Sequence, residues 1–261
     1  MMWHEMQTEV QDASVAETVE VVNSAGAGRF VLVCEHACNY IPPEMDGLGL
    51  DESALQSHIA WDPGALSLAR EMSRLLDSPL VSQNVSRLVY DCNRAPMSAS
   101  AILATSEIYQ IPGNAVLSPS ERAFREKMYY DPFRTALSGV LDLRSADSPA
   151  ILTVHSFSPV YAGVQRELDI GLIDDGDDRL SCAMFSAICS KADFDVRRNE
   201  PYRREDGVTH TLAEHAVPNG LLNVMIEVRS DLITASSSPL AMAELLAECA
   251  QIALASAEEA K

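Results

Sequence analysis

Two histidines close apolar, strand-like runs, Phe30-Val31-Leu32-Val33-Cys34-Glu35-His36 and Ala150-Ile151-Leu152-Thr153-Val154-His155, and a third run, Leu221 to Ile226, delivers Glu227. Open α/β sheets bind ligands in the crevice beyond the carboxyl ends of their strands, so polar residues that end buried strands are where chemistry belongs. Two imidazoles and a carboxylate suit Zn²⁺, whose catalytic sites use three protein ligands and a water, with a nearby glutamate as base. Taken singly, a histidine at a strand end is more often a hydrogen-bonded structural group. Two at equivalent strand ends project into one crevice, and that favours the metal reading of His36 and His155. Asp62 or Glu35 can supply the third ligand, with Asp62 preferred, although an aspartate before Pro63 also reads as an ordinary helix N-cap.

Other polar residues have competing readings. A glutamate after a buried run is costly unless paired or functional, so Glu227 is either a base or one half of a sheet-edge salt bridge to a neighbour such as Arg229. Arg87 and Arg94 flank Asp91 and Asn93. Asp91 and Arg94 can simply hold a loop together, yet the planar fork of arginine is also the preferred clamp for a substrate carboxylate. His215 has a helical position that faces the crevice, as a substrate contact or a support behind the ligands. The basic cluster Arg197, Arg198, Arg203 and Arg204 reads as a solvated loop able to steer an anion over a Debye length of about 8–10 Å.

The elements that must position these groups are legible from periodicity. Val19 to Val22 reads as a short edge strand and Asp51 to Ile59 as a short helix. Asp62-Pro63 opens an amphipathic helix through Leu76. Pro79 to Gln83 and Ser86 to Tyr90 read as strands. Ser118-Pro119-Ser120-Glu121 is a capping box that opens a helix carrying Phe124 and Met128, kinked at Pro132. Strand Leu168 to Ile173, helix Asp178 to Ser190, short helix Val208 to Ala216, the Glu227 strand and a closing helix capped by Ser238 follow. Strands alternating with helices indicate an α/β fold with a mainly parallel or mixed sheet.

The chain has 261 residues, is 47% hydrophobic and carries a formal net charge of -19. It is long enough to bury a full core, and the expected organisation is a lead segment, 1–27, before a single catalytic domain, 28–261. The acidic balance excludes sequence-independent nucleic-acid binding and attachment to an anionic membrane, leaving small molecules as partners. No uninterrupted apolar stretch of roughly 18 residues and no signal-peptide pattern is seen, so a cytoplasmic location is expected. The six cysteines form no paired motif and are expected to be free thiols.

Six segments, in order, resemble the N-formylglutamate amidohydrolase family: Cys34-Glu35-His36-Ala37-Cys38-Asn39-Tyr40-Ile41-Pro42, His58 to Ala65, Ser86 to Arg94, His155 to Pro159, Asn199 to Tyr202, and Ile226 to Leu232. The resemblance covers roughly residues 20 to 235. It implies kinship with zinc carboxypeptidases and aspartoacylases, and a phosphorylase/hydrolase-like three-layer α/β/α sandwich. It also implies that Asn93 and Arg94 bind the substrate carboxylate, that Arg87 polarises the scissile carbonyl, and that Glu227 activates water. Arg229 and His215 complete the expected substrate contacts. The chain departs from the pattern at Asn39, where zinc exopeptidases carry a ligand glutamate, so a carboxylate elsewhere must complete the metal site. The implied activity is zinc-assisted hydrolysis of an N-formyl or N-acyl amino acid. The alternatives are a zinc carboxypeptidase or amidase acting on peptides, and a non-catalytic anion-binding protein of the same fold.

Overall fold

The computed structural model describes residues 18–96, 98–234 and 239–259. Residues 1–17 of the expected lead segment, and the expected cap Ser238, lie outside them. Period-2 patterning builds the centre of the molecule. Strands β1 (Val19–Val22), β2 (Phe30–Cys34), β3 (Leu80–Gln83), β6 (Ala150–Phe157), β9 (Ile170–Ile173), β10 (Val196–Arg198) and β11 (Asn223–Arg229) form one seven-stranded sheet in the order β1-β3-β2-β6-β11-β9-β10. β3, β2, β6 and β11 run parallel, while β1 and β9 pair antiparallel to their neighbours and β10 follows β9. Two small hairpins lie apart, β4 (Thr105–Ser106) with β5 (Tyr109–Gln110), and β7 (Val160–Tyr161) with β8 (Val164–Gln165).

Central strands buried on both faces must alternate between two cores. Leu32, Leu152, Val224 and Ile226 pack with α2 (Ala65–Leu75), α6 (Arg179–Lys191) and α7 (Pro239–Glu259). Val31, Val33, Ile151 and Met225 face the other way, onto Phe133, Leu137 and Leu141 of α5 (Asp131–Leu143). The result is the expected α/β/α layering. The same parity places His155 and Glu227 on the α5 face, and the parallel register sets Glu227 directly beside His155.

Shorter helices fill the connections: α1 (Glu52–Gln56), capped by Asp51, α3 (Pro112–Ala115) and α4 (Pro119–Arg125), which opens on the expected capping box of Ser118 and Glu121. Phe124 is exposed and takes no part in the core, and a π turn, Glu126–Tyr130, rather than a simple proline kink, joins α4 to α5. All six cysteines are free.

Four expectations change. Ser86 to Tyr90 is a buried turn and not a strand. The Ser86 hydroxyl donates to Ala60 O at 2.7 Å and accepts from Leu88 N, and this local bonding competes with a ladder. Residues 208–216 form a shorter helical stretch than expected, 210–216, wound as a π-helix over Leu212–Ala216. Asp62 does not cap α2. That position belongs to Gly64, at φ 85, because a side chain there would strike Ile233. Finally, α7 is long and apolar enough, by length and composition, to cross a membrane. Its Met242, Ala243, Leu246, Ala250 and Ala253 are buried against the sheet core, which is the character of a core helix.

Candidate active site

Three adjacent parallel strands end side by side, and the next residues of the chain supply the site. His36 follows β2 by two residues, and His155 and Glu227 lie near the ends of β6 and β11. Asp62 arrives from the turn before α2, held by its own amide, which donates to His36 O at 2.9 Å. One carboxylate oxygen, Asp62 Oδ2, lies 3.2 Å from His36 Nδ1 and 2.9 Å from His155 Nδ1. The two rings meet edge to face with centroids 4.9 Å apart. One donor atom from each of His36, Asp62 and His155 falls within 4.8 Å of the others, and all three residues are buried.

An acid also lies behind each ring, hydrogen-bonded to His36 and in ion-pair contact, without hydrogen-bond geometry, with His155. His36 Nε2 lies 2.8 Å from Asp91 Oδ1, and His155 Nε2 lies 3.1 Å from Glu35 Oε2. Carboxylates behind the imidazoles fix their orientation and direct both Nδ1 atoms to one point, as supporting groups do in metal centres. Asp91 is a hub. Its oxygens also receive Arg87 Nη2 at 3.1 Å and the Asn93 amide at 3.0 Å, with Arg94 Nε 3.5 Å away. Arg87 Nη1 reaches the second oxygen of Asp62 at 3.3 Å.

These charges are out of water, which makes their balance decisive. Burial opposes ionisation of Glu35, but the neighbouring His155 outweighs it and holds the carboxyl below its ordinary range. Burial likewise opposes the charged form of His155, yet Glu35 and Asp62 raise its pKa well above the usual value. Asp62 and Asp91 are driven down, against burial, by His36 first and then by further histidine and arginine partners. Glu227 goes the other way. Burial, with the charge of Asp62, pushes its carboxyl up to about 7 despite His155, and its Oε2 is buried with no hydrogen-bond partner. Four acids, Glu35, Asp62, Asp91 and Glu227, therefore face two guanidinium groups, Arg87 and Arg94, in one buried cluster. Once the imidazoles are neutral, as metal ligation requires, the ionised acids exceed the guanidinium groups, and two imidazole nitrogens converging with a carboxylate oxygen fit a divalent cation of the zinc type.

The other expected site residues divide. Glu35, the second choice for third ligand, lies behind His155 rather than beside the convergence point. Asn39 donates to Leu55 O and Gln56 Oε1, outside the cluster. Asn93 is buried, with its amide nitrogen donating to Val208 O and its oxygen accepting from Thr211 N, so its polar ends serve the fold in place of the expected carboxylate contact. Arg94 stays at the rim, tied to Asp206 O and Asp91. Arg229 is also not free for substrate, because Asp169 at 2.9 Å and Asp231 at 2.8 Å take its guanidinium. His215 is buried without a side-chain hydrogen bond among the described residues, and burial lowers its pKa to about 4. His58 pairs with Glu107, and His210 with the Tyr130 hydroxyl.

The Arg197–Arg204 loop borders a cleft of ≈ 330 Å³ lined by Asp174, Arg198, Asn199, Arg203, Arg204 and Glu205. Its arginines are mostly answered by Asp195, Glu200, Asp174, Asp178 and Glu205, which leaves little field for steering. Sequence reasoning missed the grip of Asp91 on His36, the placement of Glu35 and the role of Tyr202. Tyr202 lies where Glu227 and Arg87 both act on its hydroxyl. Asp91 carried a signal in its place between two arginines, and Glu35 and Tyr202 fell within segments of the family resemblance.

Comparison with known proteins identifies the family and the fold. The model of the family described as N-formylglutamate amidohydrolase matches residues 28–234. The crystal structure of a gene product of Agrobacterium tumefaciens is similar over 94% of this chain and 97% of its own, with 48% identity and a TM-score of 0.90. An N-formylglutamate amidohydrolase from Ralstonia eutropha shares the fold, with a TM-score of 0.63 at 17% identity over 93% of this chain and 98% of its own. No curated protein sequence matches the chain.

Proposed function

Because the chain belongs to the N-formylglutamate amidohydrolase family, hydrolases of amide carbon–nitrogen bonds, we propose that it cleaves an N-formyl or N-acyl amino acid such as N-formylglutamate. The observation that carries this reading is the convergence of His36 Nδ1, His155 Nδ1 and Asp62 Oδ2, with Glu227, whose Oε2 has no hydrogen-bond partner, beside His155 on the next strand. His36, Asp62 and His155 would hold zinc. When bound, zinc supplies a Lewis acid that polarises a carbonyl and acidifies water.

The chain's own groups supply the remaining steps. Glu227 Oε2 accepts a proton from the attacking water and returns it to the departing amine nitrogen, a role for which a carboxyl near 7 is suited at neutral pH. Asp91 holds His36 in the tautomer that leaves Nδ1 free to donate its lone pair, and the charge of Glu35 beside His155 Nε2 favours the same tautomer there. Arg87, fixed by Asp62 and Asp91, offers its remaining N–H groups to the oxyanion that develops as the carbonyl is attacked. Arg94, at the rim, receives the α-carboxylate. Burial of the cluster excludes bulk water and strengthens each of these interactions.

Asn39 favours a binding-only protein, whereas the approach of Asp62 Oδ2 to both imidazoles supports the catalytic reading. The test is a panel of N-acyl amino acids and short peptides assayed for acid release with wild type and Glu227→Gln. Wild type should release formate from N-formylglutamate faster than it cleaves peptides, and Glu227→Gln should lose about 10²–10⁴ in kcat while still binding substrate. A metal-replete wild type that cleaves no member of the panel would overturn the reading.

A further inference from the structure

Gly171 stands directly opposite Glu227 where β9 pairs antiparallel with β11. Residues opposite one another in such a ladder project to the same face, so a side chain at 171 would lie beside the Glu227 carboxyl. The chain uses that space for another stretch of backbone. A Cβ on Gly171 would collide with Glu200 O and come within 3.1 Å of Pro201 Cδ, so the segment Asn199-Glu200-Pro201-Tyr202 crosses the sheet at this point. Its start is pinned. Asn199 N donates to Leu172 O at 2.9 Å, and the Asn199 side chain exchanges two hydrogen bonds of 3.2 Å with Asp174. Tyr202 comes next in the chain, and its ring packs on the α5-side core, the face that carries Glu227 and His155.

The Tyr202 hydroxyl is oriented from one side. Arg166 Nη1 donates to it at 3.3 Å. The Arg166 guanidinium carbon lies 5.3 Å from the centre of the Tyr202 ring, 4.6 Å from that of Tyr161 and 5.5 Å from that of Phe157, and these rings form a cage that fixes it by cation–π attraction. A phenol has one proton to donate, and here its oxygen already accepts from Arg166. The proton is left for another acceptor, because the hydroxyl makes no other hydrogen bond among the described residues. Glu227 and Arg87 both act on this oxygen, and burial with the charge of Glu227 raises its pKa, which keeps the phenol protonated at neutral pH.

We propose that Tyr202 is a further catalytic residue, whose hydroxyl donates a hydrogen bond to the oxyanion formed when water attacks the scissile carbonyl, alongside the N–H groups of Arg87. The inference rests on the hydrolase reading of the site. No proton leaves the phenol. The water oxygen bonds to the carbonyl carbon, its proton passes to Glu227 and then to the departing amine, and the charge that gathers on the carbonyl oxygen is what the hydroxyl meets. A donor already held by Arg166 needs no reorganisation as that charge develops, and the room left by Gly171 lets the segment bring it there.

The experiment compares zinc-loaded wild type with Tyr202→Phe, which keeps the ring in the cage and removes only the hydroxyl. Formate release from N-formylglutamate should fall by about 10²–10³ in kcat with KM little changed, since the lost interaction is made only as the oxyanion forms. Inorganic phosphate, a tetrahedral oxyanion, should bind Tyr202→Phe about 10- to 100-fold more weakly than wild type in a calorimetric titration. Equal metal content and equal melting temperatures show that the variant keeps its site and its fold. With an active wild type, an unchanged kcat, or a loss carried by KM alone, overturns the proposal. If wild type hydrolyses nothing the hydrolase reading fails, and the phosphate titration then decides, with equal affinities in the two proteins overturning the role of Tyr202 as an oxyanion donor.

Discussion

The strand-end cluster around His36 and the arginine-rich loop from Arg197 to Arg204 are both dense in charge, yet their charges are answered differently. In the loop, half-exposed arginines pair with nearby acids such as Asp195, Glu200 and Asp178, and water can replace any partner that is lost. In the cluster, the acids and imidazoles are almost fully buried, and Glu227 keeps an unpartnered oxygen. Exposed pairs contribute about 0–1 kcal/mol each, whereas uncompensated buried charge costs several. Charge density alone therefore does not mark a site. Burial with an unmet requirement does.

The comparison predicts a graded set of effects. The largest falls on Asp62, whose Oδ2 is the point on which both imidazoles converge. Asp62→Ala should abolish stoichiometric metal binding and lower kcat by more than the roughly 100-fold typical of changes behind a ligand. Asp91→Asn should cost about 10- to 100-fold in metal affinity, read by competition with a chelator, because it weakens the acceptor that orients His36. Retention of wild-type affinity would mean that the hub only braces the loop.

The next effect is on stability. The Glu227 carboxyl is raised in the folded state to about 7, so folding favours its protonated form. Its destabilising effect is absent below the unfolded pKa of about 4.3, grows as pH rises through the folded value and is complete above it. Glu227→Gln should therefore stabilise the metal-free protein by up to about 3 kcal/mol at pH 8 and by little at pH 4, measured by urea unfolding. The smallest effect is in the loop. Arg204→Ala, which removes the exposed pair with Glu205, should shift stability by no more than about 0.5 kcal/mol. A larger loss there would break the contrast between the two regions.

Much of this was legible in the sequence because the strands announce themselves. The runs before His36, His155 and Glu227 are apolar without interruption, and two-residue periodicity carried His155 and Glu227 to one face. Asp62 was half visible, since a capping signature hid it until Gly64 proved to be the cap. Ser86 to Tyr90 was misread because its apolar residues mimic a strand, while the serine hydroxyl that turns the chain leaves no periodic trace. Asn93 and Arg229 matched a family pattern, but their polar groups are taken by Val208, Thr211, Asp169 and Asp231, partners that only folding reveals. Arg166 was invisible for a different reason. Its cage joins rings from β6, a hairpin with two-residue strands and the loop at Tyr202, and no local pattern links those positions.

The central claim is that His36, Asp62 and His155 hold a catalytic divalent ion. The most direct measurement is metal content by elemental analysis of the purified chain, followed by formate release from N-formylglutamate before chelation, after it and after zinc is restored. The account predicts about one ion per chain, with activity lost on chelation and recovered with zinc. Full activity in protein stripped of metal would contradict it.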